Sequence, residues 1–228
     1  MTNSVSRNEL VDNLPDISTN VIPKPIEEVI FDFANIVFPN SEYIVKENDS
    51  YIISNELRTY VNHFRNVFNR SQLPPPKEIY IDQESALVYS LTYFCRYFFR
   101  THFILNNLIK YSGVELNNIF PKKIRVLDIG TGPTTFPLSF IDYYCKLNQN
   151  LGGDFQMDSK IHFDCIEQNG LFSMLCKYYS KRFFQNNKVG LNLFRKEIPM
   201  PLNFHGLNLE APYDFITLFN FLRLFKPT

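Results

Sequence analysis

Apolar residues recur along this chain first at helical spacing and then, past its middle, at strand spacing. Residues 1–22 are polar, rich in Asn, Ser and Asp, and are expected to form a mobile tail. Pro23 and Pro25 lead into residues 26–38, where Ile30, Phe31, Phe33, Ala34 and Val37 fall on one helical stripe. Tyr43-Ile44-Val45 and Tyr51-Ile52-Ile53 flank the polar Glu47-Asn48-Asp49-Ser50, the pattern of a hairpin. Residues 55–68 return to helical spacing, with Leu57, Val61, Phe64 and Phe68 near one face. Pro74-Pro75-Pro76 then stops regular structure and marks a linker. A long aromatic-rich helical pattern, as one helix or two abutting ones, covers 83–111, and Ser112-Gly113 ends it.

From Lys122 the period changes. The apolar run 124–127 meets a glycine-rich turn, and 136–147 follows as a helix with Phe136, Phe140, Tyr144 and Leu147 on one face. A strand is expected over 161–166, a helix over 171–184, a strand over 189–194 and a strongly apolar strand over 213–219. Strands alternating with helices imply a parallel sheet with covering helices. The expected organisation is a helical N-terminal region over 23–76, a helical lead-in over 77–121 and an α/β domain over 122–228.

Composition narrows the partners rather than the fold. The 23 basic and 23 acidic residues cancel, which removes any general attraction to nucleic acid or an anionic membrane while leaving a local patch open. The abundance of Phe and Tyr, with no Trp, reads as core filling. Cys95, Cys145, Cys165 and Cys176 lie far apart in apolar segments, as small buried hydrophobes would. The four histidines are equally scattered, so no metal site is expected. The chain opens on a polar stretch, and no apolar run reaches the roughly 18 residues that span a bilayer. These features describe a cytoplasmic protein.

The candidate chemistry lies at Val126-Leu127-Asp128-Ile129-Gly130-Thr131-Gly132-Pro133. Two glycines allow a tight turn and a close approach of bare backbone to a ligand. Pro133 suits a helix entry, whose N–H groups would favour a negative ligand group. Asp128 argues the other way. A carboxylate two residues before the first glycine repels a pyrophosphate but attracts an ammonium or a sulfonium. The dinucleotide fingerprint also asks for glycine at 135, where this chain has Thr135.

Over residues 122–222 the chain resembles the class I, Rossmann-like S-adenosylmethionine-dependent methyltransferases, whose first motif is this strand end and loop. The helix before the first strand, taken with V-L-D-I-G-T-G-P, also resembles a methyltransferase family associated with the small ribosomal subunit, without that family's cluster-binding cysteines. The family often has glycine where this chain has Thr134. The resemblance implies S-adenosylmethionine as cofactor, held by Asp128, Gly130, Thr131 and Gly132. It also implies an acidic residue ending the second strand to hold the ribose hydroxyls, and Glu167 fits. Glu167 lies 35 positions beyond Gly132 (167 − 132), against about 20 in dinucleotide folds. A loop insertion over 148–160 accounts for the excess.

Glu197 is a candidate for the adenine contact, Asn220 for the end of the fourth strand, and Arg96 or Tyr97 for the cofactor carboxylate. Asn220 lacks the two prolines expected of enzymes that methylate exocyclic base amines. The activity implied is methyl transfer to an unidentified acceptor, with RNA or protein slightly favoured over a small molecule. Two alternatives remain open: a non-catalytic binding or assembly protein on the same frame, or a fragment whose fourth strand is completed by a partner chain. The fourth strand should otherwise sit inside a sheet ordered three, two, one, four.

Overall fold

The computed structural model describes residues 7–18, 21–39, 42–48, 50–70, 83–152, 160–183, 189–195 and 212–218. The linker expected at Pro74–Pro76 lies outside them, as does most of the 148–160 insertion. In chain order the elements are α1 (Arg7–Asp12), α2 (Lys24–Val37), β1 (Ile44–Glu47), β2 (Ser50–Ile53), α3 (Asn55–Arg70), α4 (Gln83–Ser112) and α5 (Leu116–Ile119). They continue with β3 (Lys123–Ile129), α6 (Thr135–Asn150), β4 (Lys160–Glu167), α7 (Gly170–Phe183), β5 (Val189–Arg195) and β6 (Phe215–Thr217).

The fold is α/β, with a Rossmann-like four-stranded parallel sheet behind a mainly helical N-terminal region. The sheet order is β5-β4-β3-β6, the expected three, two, one, four. The β1–β2 hairpin pairs Ile44 with Ile53 and Glu47 with Ser50, where the alternation placed it. The 83–111 pattern resolves as one continuous helix.

Alternation along the strands sorts the sheet into two faces. One carries Val126 and Asp128 on β3, Phe163, Cys165 and Glu167 on β4, and Leu191 on β5. Phe136, Phe140, Tyr143 and Leu147 of α6 pack on this face together with Val126 and Phe163. Helix α4 lies against α6, where Ser139 Oγ donates to the Phe98 carbonyl at 2.5 Å and Tyr143 donates to Asn106 Oδ1 at 2.7 Å. A second apolar cluster joins α2, α3, the first half of α4 and α7, with Phe94, Phe98, Leu175 and Tyr179 fully buried.

The opposite face carries a polar knot. Asp164 is buried and accepts from Tyr213 at 2.8 Å, Asn192 at 3.0 Å and the Arg125 guanidinium at 3.4 Å, with His162 Nε2 at 3.3 Å. A buried carboxylate needs such a donor set. The knot ties β3, β4, β5 and the approach to β6. Gly190 leaves room for it, since a Cβ there would lie 2.6 Å from His162 Nδ1.

Several expectations are corrected. Residues 7–12 are helical rather than a mobile tail. Leu10 is buried beside Leu105 and Ile109, and Asn106 and Asn150 donate to the carbonyls of Pro15 and Asn13 at 3.0 Å each. Helix α6 runs on through Asn150, three residues into the expected insertion. Cys165 and Cys176 are buried, but Cys95 and Cys145 are exposed, because both sit on the outer faces of long helices. Strand β6 is three residues long rather than seven, and Ile216 is 62% exposed rather than covered on both faces. No helix among the described residues is long and apolar enough to cross a membrane.

Candidate functional site

The site forms where β3 ends, between the neighbours β4 and β6. A parallel sheet opens a crevice at such a point, because successive crossovers leave in opposite directions. The turn is built from left-handed backbone: Gly130 has φ 71°, Gly132 φ 56° and Thr134 φ 61°. The first two positions suit glycine because it has no Cβ. Thr134 is a β-branched residue at a conformation that disfavours one.

Hydrogen bonds tie the first amides of this loop into the protein. The Gly130 and Thr131 N–H groups donate to the Ile166 carbonyl at 2.8 and 3.2 Å, and the Gly132 N–H donates to Glu167 Oε2 at 2.8 Å. Residue 133 is proline and has no N–H. The three residues before the proline therefore offer no free amide to a phosphate, and only the helix entry from Thr134 onward could do so.

The carboxylates are placed by strand alternation. Asp128 Oδ2 accepts from Thr131 at 2.6 Å, and Oδ1 accepts from Thr217 on β6 at 2.5 Å. That second bond spans the crevice and fixes β6 against β3. Burial raises the Asp128 carboxyl to about 6, against the lowering effect of the two hydroxyls. Glu167 ends β4 on the same face. Its Oε1 accepts the Asn169 N–H at 2.8 Å, and Asn169 in turn caps α7 by accepting the Leu171 N–H at 2.8 Å. Burial raises Glu167 to about 7, opposed by its backbone hydrogen bonds and assisted by the nearby Asp128 charge. From α7, the Cys176 thiol donates to the Gly132 carbonyl at 3.1 Å.

A small pocket lies over the loop, lined by Asp128, Gly130, Thr131, Gly132, Pro133, Thr135 and Phe136, and closed by Tyr89 and Tyr97 from α4. None of these side chains is basic. Tyr89 sits low over the turn, with its ring edge 4.0 Å from where a Gly132 Cβ would be.

Of the sequence candidates, Asp128, Gly130, Thr131, Gly132 and Tyr97 converge on the pocket, and Glu167 grips the loop from behind. Arg96 is corrected: it is exposed on α4 and does not line the pocket, as the stripe with the exposed Arg100 implies. Glu197 and Asn220 lie outside the described residues. Tyr89, Asn169, Cys176 and Thr217 were not singled out. Asn169 was legible as a helix cap before Gly170; the others depend on packing between distant segments. No family model, curated protein or solved structure matches this chain. No group of three or more His, Cys, Asp or Glu among the described residues could hold a metal ion.

The turn yields a direct prediction. A Cβ at Gly132 would meet Tyr89 only at ordinary contact distance but would force an L-residue into left-handed backbone, so Gly132→Ala should lose about 1–2 kcal/mol of stability. Urea denaturation checks this, and an unchanged midpoint would show that the turn is not held left-handed.

Proposed function

We propose that this chain binds S-adenosylmethionine over the Gly130–Pro133 turn and serves methyl transfer. The observation that carries the reading is the engagement of the loop amides by Ile166 and Glu167 beside two buried carboxyls. In such a site the amides of residues 130–132 are spent within the protein and two carboxyls offer negative charge, which favours a sulfonium and ammonium ligand over a dinucleotide.

The residues fit that ligand by chemistry. Asp128 supplies charge at the floor of the pocket, and Tyr89 and Tyr97 offer aromatic faces of the kind that attract a cation. A carboxylate has about four acceptor sites, and Glu167 uses three on the backbone N–H groups of Asn169, Gly132 and Gln168, so it can still accept one ribose hydroxyl. When bound, the cofactor supplies an electrophilic methyl group. The chain's own part is to orient the ligand, exclude water and hold the reactants in line, which alone can carry a large share of such catalysis. Entry requires the rings of Tyr89 and Tyr97 to swing from their closed positions.

A second reading, a binding or assembly protein on the same frame, is favoured by β6. Among the described residues this strand pairs only with β3, and Ile216 stands exposed on it. Such an edge suits pairing with another chain.

The test is thermal denaturation with each ligand. At a hundredfold excess over its dissociation constant, a native-state ligand adds about 2.7 kcal/mol. S-adenosylmethionine and S-adenosylhomocysteine should each raise the melting temperature, and NAD should not. Stabilisation by NAD alone would overturn the reading. Binding without transfer to RNA or protein would favour assembly.

A further inference from the structure

The hold on the glycine turn is made by an ionisable group. Glu167 Oε2 takes the Gly132 N–H at 2.8 Å and Oε1 takes the Asn169 N–H at 2.8 Å, while Cys176 holds the Gly132 carbonyl at 3.1 Å. One side chain thus joins the turn after β3 to the turn before α7. Only the ionised carboxyl offers both oxygens as pure acceptors; a proton on one of them becomes a donor facing an amide.

The described side chains that act on it are neutral or acidic. Asp128 faces it from β3 and the Cys176 thiol from α7, and Cys165 of β4 lies behind Asp128. Thr131 and Thr217 bind Asp128, and Tyr89 and Tyr97 of α4 close the pocket. Two carboxyls are therefore buried near one another; Arg195 of β5 stands in register with Glu167, and among the described side chains no Lys, Arg or His acts on either carboxyl.

We propose that Glu167 is a proton-operated clamp on the glycine turn. Ionised, it holds Gly132 and Asn169 together and adds to the negative charge that suits a cation. Protonated, it releases one of the two amides, loosens the turn and gives up that charge. The consequence for S-adenosylmethionine rests on the cation-binding reading of the pocket, whereas the clamp belongs to the chain without ligand. Burial places the transition near neutral pH rather than in the usual glutamate range. A bound cation favours the ionised form, so the proton leaves to solvent on binding. Release of one proton makes affinity rise about tenfold per pH unit below the midpoint.

The experiment is an amide NMR titration of the ligand-free chain from about pH 5 to about pH 8.5, bracketing the ordinary and shifted ranges. The Gly132 and Asn169 amide resonances should move together with a midpoint near neutrality. In Glu167→Gln both should stay flat. In Asp128→Asn they should still move, with a lower midpoint, because a neighbouring negative charge has gone. A flat wild-type titration, or a midpoint in the usual glutamate range, overturns the clamp. So does a titration that Asp128→Asn abolishes. The wild type and Asp128→Asn decide the matter even if Glu167→Gln does not fold. Calorimetry with S-adenosylmethionine at about pH 6 and about pH 8 should then show about tenfold tighter binding at the higher pH. Equal affinity at both overturns the clamp's control of the site. No heat at either pH, beside a normal amide titration, overturns the cofactor reading and supports the clamp.

Discussion

The stability of the ligand-free fold should fall as pH rises from about 4 to about 7, and the decline should be largely removed in a chain carrying both Asp128→Asn and Glu167→Gln. Burial lifts Asp128 from its ordinary 3.8 to about 6 and Glu167 from 4.5 to about 7. Between the ordinary and the lifted values the folded chain holds protons that the unfolded chain has released. Raising the pH then favours the unfolded state. The contribution is fully present below about pH 4, is lost through about pH 7, and is constant above that. A carboxyl that titrates one pH unit higher in the folded chain than in the unfolded one contributes about 1.4 kcal/mol, so the two groups together amount to several kcal/mol. Urea unfolding of the wild type and the double variant across this range measures the difference. Parallel curves would mean that neither carboxyl is buried in the charge-poor setting described above.

Phe140→Ala should cost about 3–5 kcal/mol, the range for removing a fully buried aromatic side chain. Phe140 is completely buried and is the hub of a ring cluster, with Phe163 of β4 at 5.9 Å, Phe215 of β6 at 5.2 Å, Phe136 at 5.8 Å and Phe120 at 5.9 Å. It therefore anchors α6 on the sheet and seats β6 beside β3. Seating β6 is also what brings Thr217 to Asp128. The melting temperature should drop by roughly 2–4 °C for each kcal/mol lost in a chain of this size. A loss below about 1 kcal/mol would mean that the helix does not pack as described.

What the sequence made legible was what local chemistry dictates. The hairpin, the long helix and the alternating strands and helices all follow from period and turn residues. Glu167 could be placed at a strand end because Ile161, Phe163 and Cys165 alternate with polar residues up to Ile166, and a carboxylate follows directly. Helices α1 and α5 escaped because six and four residues are too few to show a helical period. The grip of Glu167 on Gly132 crosses 35 positions, and the Thr217 bond to Asp128 crosses 89, so no spacing rule foretells either. The Asp164 knot was hidden for the same reason. Its donors come from four separate segments, brought together only by strand register. Arg96 and Tyr97 could not be separated by sequence, since adjacent helical residues point about a quarter-turn apart and only packing decides which faces the pocket.

The most direct measurement is a calorimetric titration of the chain with S-adenosylmethionine above the Glu167 transition, beside Gly132→Val. Saturable one-site binding is expected for the wild type and its loss in the variant, because a β-branched side chain blocks backbone approach and does not tolerate the left-handed turn. A correctly folded wild type that gives no heat with S-adenosylmethionine or S-adenosylhomocysteine, or a variant that binds as well as the wild type, would contradict cofactor binding over the glycine turn.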